Sequence, residues 1–260
     1  KIYASILTED PQPITEPLAS FDDHQIIGID LGIKNWVTDT SGEKLPNPQH
    51  LKKSISKLTR IQRSLSRKVE SAKNRCTADG KSSKELRKYF GSNIAKDQKR
   101  LALAHEKVRH VRENYQHQVS SKLANKNQVV IAETLNVKGM ISNRNFSKAI
   151  SDCSWSSFLG KLDYKLKAKG GQLVRISPWF PSTKMCNHCR EINEKIELSD
   201  RIWTCNACNA IIDRDINAAL NIREVGIVKL KAAGLSVYAH GGHVRLDDFD
   251  QAMACEVGSH

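Results

Sequence analysis

Apolar residues recur along the chain at two spacings, and the switches between them outline its elements. The β-branched run at residues 26–29 reads as a buried strand. Gly32 lets the chain turn sharply after Asp30, a second strand follows, and Thr40-Ser41-Gly42 forms a hairpin turn. The spacing then changes. Ile55, Leu58, Ile61, Leu65 and Val69 repeat at helical intervals, as do Leu101, Ala104, Val108, Val111, Tyr115 and Val119. The turn-rich stretch CTADGKSS separates these two predicted helices, each with an apolar stripe to bury and a basic face to present. NQVVIAET is another buried strand and ends at Glu133. WSSFLGKLDYKLKAKGG reads as a helix stopped by Gly170-Gly171, and QLVRISP as a strand closed by Pro178. Two cysteine pairs around an irregular insert lead into the helix INAALNI, and the residues from 231 onward show no period and read as a loose tail. A three-strand meander followed by strands alternating with helices predicts an α/β domain with a mixed sheet.

The chain has 260 residues, 39% of them hydrophobic, enough for one sizeable core and a small satellite domain. No apolar run approaches the ~20 residues of a membrane span. The opening KIYASILTED reads as a strand from a preceding domain, and the first residue is Lys1, so the chain is expected to be the C-terminal part of something longer. The formal charge is +13, and its placement says more than its size. Residues 52–112 hold 19 Lys and Arg against 5 Asp and Glu, whereas the rest of the chain holds 22 against 23. A solvated helix face usually mixes signs; a one-signed stretch in an otherwise neutral protein points to a polyanion, nucleic acid ahead of a membrane surface.

Of the seven cysteines, Cys76, Cys153 and Cys255 stand alone, and the others form Cys186-x2-Cys189-x15-Cys205-x2-Cys208. That is zinc-ribbon spacing. Two intervening residues let a tight turn aim both sulfurs at one ion, and two such turns complete a thiolate tetrahedron. Such a closed site is scaffold rather than catalyst, and four thiolates leave no place for His188. Metal-type cysteines imply a reducing compartment, so a cytoplasmic location is expected. Arg190 and Asn209 follow the knuckles where glycine is common; asparagine tolerates the left-handed conformation there better than arginine does.

Three carboxylates occupy unusual positions. Asp30 and Glu133 end buried strands, and Asp215 starts the helix after the second knuckle. Each has a structural reading alone: a turn residue, a strand end, an N-cap. Together, beside a polyanion-binding segment, they suit a divalent-ion site, because an acid in an apolar strand suffers desolvation that a cation offsets. Magnesium prefers oxygen ligands, and two such ions ~4 Å apart support phosphodiester hydrolysis. Asp213 competes with Asp215 for the third role; Asp215 is favoured, with Asp213 as a cap or a partner of Arg214. His105, His110 and His117 are expected to face solvent or phosphate, and Trp155 and Trp179 to pack in the core rather than stack on bases. Lys184 and Arg201 near the knuckles are candidates for touching nucleic acid.

The stretches GIDLGIKN, AETLNVKGM, FPSTKMCNHC, RIWTCNAC and DRDINAALNI, in this order, resemble the transposon-encoded TnpB (OrfB) family, relatives of the type V CRISPR effector nucleases. The basic LTRIQRSLSRK resembles that family's helical segment. The resemblance implies a RuvC-like, RNase H-type α/β fold with flanking helices, a long basic helical hairpin insertion and an inserted four-cysteine ribbon. It implies RNA-guided, magnesium-dependent DNA cleavage at Asp30, Glu133 and Asp215, with manganese able to substitute. Guide RNA and target DNA would be the partners, held in part by Lys52, Lys53, Lys57, Arg60, Arg63, Arg67, Lys68, Lys73 and Arg75. The expected organisation is an N-terminal β remnant to residue 20 and a nuclease core over 21–184 with a basic insertion at 51–124. A zinc ribbon at 185–209, a last helix at 210–230 and a tail follow. The sequence departs from the family pattern at Arg190, Asn209 and Thr134, and the family's N-terminal recognition domain is nearly absent. Two other functions share these features: a guided DNA-binding protein that does not cut, and a DNA transposase with the same three acids.

Overall fold

A computed structural model describes residues 15–197 and 199–238. The expected strand in KIYASILTED and the far end of the expected tail lie outside these residues. The described chain divides into two compact units. One comprises residues up to 46, 120–136 and from 155 on; the other comprises residues 47–119 and 137–154.

The first unit is built on a five-stranded sheet of β2 (Ile26–Asp30), β3 (Asn35–Asp39), β4 (Lys44–Pro46), β5 (Val129–Glu133) and β6 (Gln172–Ile176), with β1 (Ser20–Asp22) lying before it in the chain. The spatial order is β4-β3-β2-β5-β6. β2, β3 and β4 pair antiparallel as a meander, while β2, β5 and β6 run parallel, so the sheet is mixed. β5 is central, and Val129, Val130, Ile131 and Ala132 are fully buried. That near-continuous apolar run is what a parallel strand covered on both faces requires. Gly32 provides room rather than an unusual backbone angle: a Cβ there would lie 2.7 Å from the Asn35 carbonyl oxygen.

Helix α6 (Arg214–Ala232) packs on this sheet. Its Ile222, Val225, Ile227 and Leu230 share one core with Ile26, Val129, Ile131, Val174 and Ile176. A Cβ at Gly28 would sit 2.2 Å from the Ala219 carbonyl oxygen, so only glycine admits α6 this close to β2. Helix α5 (Trp155–Lys167) buries Phe158, whose ring centroid lies 4.5 Å from that of Trp36 on β3. It ends at Lys167, and the turn that follows closes at Gly170, which has φ 74°.

Two findings differ from the expected tail beginning at 231. α6 runs on to Ala232, and β9 (Ser236–Tyr238) pairs parallel with β1. The period there is too short to read, because three residues carry no alternation.

The second unit contains α1 (His50–Ala78), most of α2 (Ser92–Lys126), and two short helices, α3 (Val137–Ser142) and α4 (Ser147–Cys153). Its extent differs from the expected insertion at 51–124, because α3 and α4 join it from beyond β5. Asp152 on α4 accepts from the Leu51 amide in the first turn of α1, at 2.9 and 3.1 Å, and pairs with Arg112 at 2.9 Å. Of the predicted stripes, Leu58, Val108 and Val119 are buried while Ile55 and Val111 remain exposed. No helix among the described residues is long and apolar enough to cross a membrane.

Candidate functional site

Strand register brings the acids together. Ile26 stands beside Val129 and Gly28 beside Ile131, so Asp30 falls one step further along, level with Glu133. Side chains alternate along a strand. Ile26 and Gly28 lie toward α6, as do Val129 and Ile131, so Asp30 and Glu133 lie toward it as well. The helix runs antiparallel to β2: Arg223 Nε donates to the Ile26 carbonyl at 2.9 Å, and Ala219 meets Gly28. Moving four residues back along α6 advances about 6 Å, close to the two-residue step from Gly28 to Asp30. That brings Asp215 to Asp30.

The electrostatics agree with this placement. Asp30 is half-buried, and its carboxyl is raised from 3.8 to about 7, first by burial and then by the charges of Glu133 and Asp215; Arg214 opposes the shift. Glu133 is also raised by burial, against a hydrogen bond that Ser182 Oγ donates to its Oε1. Asp215 is buried and has its own partners. Asn35 Nδ2 donates to it at 3.0 Å, Arg201 pairs with it at 3.3 Å and Arg214 at 3.2 Å. Asp213 is the N-cap of α6, accepting from the amides of Asp215 and Ile216 at 3.1 Å each. Its ion-pair partner is Lys44, at 2.5 Å, rather than Arg214.

The cysteines form a second centre. Cys186 and Cys208 sulfurs lie 3.7 Å apart, those of Cys189 and Cys205 3.5 Å apart, and all four lie within 4.8 Å of one another. A tetrahedral ion with ~2.3 Å bonds to sulfur needs sulfurs roughly 3.8 Å apart, so the cluster fits a metal. Among the described residues this is the only set of three or more His, Cys, Asp or Glu ligand atoms packed that tightly; the three acids stand wider apart. Arg190 and Asn209 do take left-handed conformations, at φ 67° and 58°. The Arg190 side chain compensates by pairing with Glu224 on α6. A two-stranded hairpin, β7 (Ile202–Thr204) and β8 (Ile211–Asp213), carries the second knuckle.

In the second unit, α1 presents the basic face. Lys52, Lys53, Lys57, Arg60, Arg63, Arg67, Lys73 and Arg75 are exposed. Lys68 is half-buried and pairs at 2.6 Å with Asp97 of α2, a carboxylate of only 5% side-chain exposure that also accepts from Ser64 at 2.8 Å. A cleft of about 620 Å³ is lined by Lys57, Arg60, Arg100 and Lys107, with Asp97 also in its wall. His105, His110 and His117 are exposed, and Trp155 is buried, both as expected. Trp179 is not in the core: it is 87% exposed. A tryptophan between two prolines after a strand gives no periodicity from which its side could be read. The sequence also gave no sign of Ser182 or Asn35, which touch the acids across 49 and 180 residues.

Comparison with known proteins supplies the relationship. A Streptomyces pristinaespiralis protein named "Putative RNA-guided DNA endonuclease" is 34% identical over 246 residues, covering 94% of this chain and 52% of the relative. The Escherichia coli protein of the same name with the suffix InsQ is 26% identical over 242 residues, covering 87% of this chain and 54% of its own length. The chain thus spans about half the length of these relatives. The solved Cas12f1–sgRNA–target DNA complex shares the fold, with a TM-score of 0.50 at 19% identity over 76% of this chain and 49% of that one. Residues 155–222 match the Cas12f1-like TNB domain. Residues 6–144 match the OrfB_IS605 family, described as "Probable transposase", and the chain therefore belongs to that family.

Proposed function

We propose that this chain is the nuclease portion of an RNA-guided DNA endonuclease, with a RuvC-like, RNase H-type core and a structural zinc ribbon. The convergence of Asp30, Glu133 and Asp215 carries the reading: Asp30 responds to both other acids, and only Arg214 is a cation large enough in effect to oppose them at that carboxyl. An all-oxygen cluster with unbalanced negative charge suits magnesium, or manganese in its place. Two such ions would polarise the scissile phosphate and lower the pKa of the attacking water.

The chain's own groups prepare that chemistry. Ser182 fixes the rotamer of Glu133, and Asn35 fixes one oxygen of Asp215. Arg201 and Arg214 supply counter-charge at Asp215. Zinc held by Cys186, Cys189, Cys205 and Cys208 would brace the ribbon from which α6 starts. The basic face of α1 would follow the phosphates of guide RNA or heteroduplex, while base pairing reads the sequence. On this reading the insertion, ribbon and last helix serve the core as grip, clip and third ligand.

The test is Asp30→Ala. Magnesium-dependent cutting of guided target DNA is expected to vanish while RNA and DNA binding are nearly retained. Cutting at an undiminished rate would remove Asp30 from the reaction. Sequencing the RNA that co-purifies with the chain tests the guide separately; enrichment from the flank of its own gene is the expected result.

A further inference from the structure

The chain has four tryptophans, and three are interior: Trp36, Trp155 and Trp203 are 2%, 1% and 7% exposed. Trp179 is the exception at 87%. Its loop is not loose. Trp179 N–H donates to Ser177 Oγ at 3.3 Å, Ser182 N–H to the Phe180 carbonyl at 2.8 Å, and Lys184 and Met185 N–H to the Pro181 carbonyl at 3.0 Å. Asn221 on α6 donates to the carbonyls of Ser182 and Met185 at 2.8 and 2.7 Å, and Phe180 packs against the main core. Pro178 and Pro181 restrict the backbone on either side. A large flat ring is therefore held out in solvent by a stiff, anchored turn.

The turn borders the acids. A cleft of about 380 Å³ is lined by Glu133, Pro178, Phe180, Ser182, Lys184 and Arg214, with Pro181 and Thr183 of the same loop and Ile196 and Glu197 from the segment between the cysteine pairs completing its wall. Trp179 lies between two of these, three residues before Ser182, whose hydroxyl binds Glu133. Three residues reach at most about 11 Å. The cleft thus combines two cations, Lys184 and Arg214, with two carboxylates, Glu133 and Glu197, and its loop carries an exposed aromatic face between two lining residues. This is the pairing by which proteins hold single strands: charge for the backbone, a ring for the base.

We propose that Trp179 is a stacking platform for a base of the single DNA strand that enters the acid site, next to or close to the nucleotide whose phosphate reaches Glu133. The inference deepens the nuclease reading and rests on it for the identity of the strand. Stacking requires no particular base, which suits a site whose targets are chosen by pairing elsewhere. Holding the base fixes the register of the strand, so Trp179 is a positioning residue.

Tryptophan fluorescence isolates the ring, since the other three indoles are buried. Without divalent ions, a twelve-residue oligothymidylate is expected to quench the red-shifted emission of Trp179. An abasic oligomer of the same length, with the same phosphates, should not. Trp179→Ala should weaken oligothymidylate binding about fivefold to a hundredfold, with Trp179→Phe restoring much of the loss and both variants keeping the parent melting temperature. Equal quenching by the two oligomers, or unchanged affinity in Trp179→Ala, overturns the platform. The nuclease reading fails by a different sign. If the chain never cuts DNA but base-dependent quenching persists, the platform stands and the catalytic assignment falls. If the chain cuts and quenching is absent, the reverse holds.

Discussion

Replacing Asp30 with asparagine should make the metal-free protein more stable, and the size of the gain follows from its burial and the charges around it. The Asp30 carboxyl is raised from 3.8 to about 7 by burial and by Glu133 and Asp215. Between those values the unfolded chain is ionised at this position while the folded chain keeps its proton. The folded state thus binds more protons there, and its stability declines as pH rises from about 4 to about 7, then levels off. A shift of about three units corresponds to roughly 4 kcal/mol at most; solvent screening at a half-buried carboxylate reduces this to ~2 kcal/mol. Asp30→Asn keeps the shape and removes the charge. At pH 8 the variant should melt ~4–8 °C above the parent, and the two should converge near pH 4. The assay is thermal denaturation in magnesium-free buffer with the ribbon's metal retained, followed by the emission of Trp36, Trp155 and Trp203, which are buried in the same unit. Millimolar magnesium should then raise the parent and leave the variant unmoved. A variant no more stable than the parent at pH 8, or a gap that persists at pH 4, refutes the argument that burial and the two neighbouring acids disfavour an ionised Asp30.

Four other outcomes are expected. Gly28→Ala puts a Cβ 2.2 Å from the Ala219 carbonyl and 2.8 Å from the Arg223 amide, both backbone, so α6 must shift; chemical denaturation should show a loss of ~2–3 kcal/mol, and magnesium affinity should fall because Asp215 moves with the helix. Cys208→Ser, or removal of the metal by a chelator, should release Trp203 from its cluster with Cys186, Cys205 and Ile212, seen as a red shift in emission together with loss of about one zinc per chain by elemental analysis. Replacing Lys57, Arg60 and Arg63 with alanine should flatten the salt dependence of nucleic-acid binding by roughly 2–3 in log–log slope at unchanged stability. Lys68→Ala should instead lower the melting temperature, because it strips a partner from the nearly buried Asp97.

What could be read from the sequence was whatever violated a local rule. An acid closing an apolar strand is anomalous wherever it falls, so Asp30 and Glu133 drew notice before any geometry was known. Paired cysteines at ribbon spacing are equally conspicuous. Residues whose meaning lies in a distant partner gave no such signal. Ser182 and Asn35 are ordinary polar loop and strand-start residues until the fold sets them against Glu133 and Asp215. Lys68 looked like every other cation on α1, and only the approach of α2 shows that Asp97 claims it. Length set another limit: α3 and α4 have 6 and 7 residues, and β9 has three, too few for a period to emerge.

The succession of cysteine knuckle, paired aspartates and helix has a mechanical explanation. Asp213 closes the ribbon hairpin and, as N-cap, begins α6, so the position of the second knuckle sets the position of the helix start and hence of Asp215. The first knuckle is tied to the same helix further along. Asn217 Oδ1 accepts from the Asn187 amide at 2.9 Å, and Asn217 Nδ2 donates to the Met185 carbonyl at 2.7 Å. Both asparagines of the helix, Asn217 and Asn221, are buried, and neither would be tolerated there without these bonds. Arg190 accepts left-handed strain in exchange for its pairing with Glu224 on α6. The ribbon therefore grips α6 at its start and along its next two turns, and a metal that closes the four sulfurs restrains the third acid without touching it.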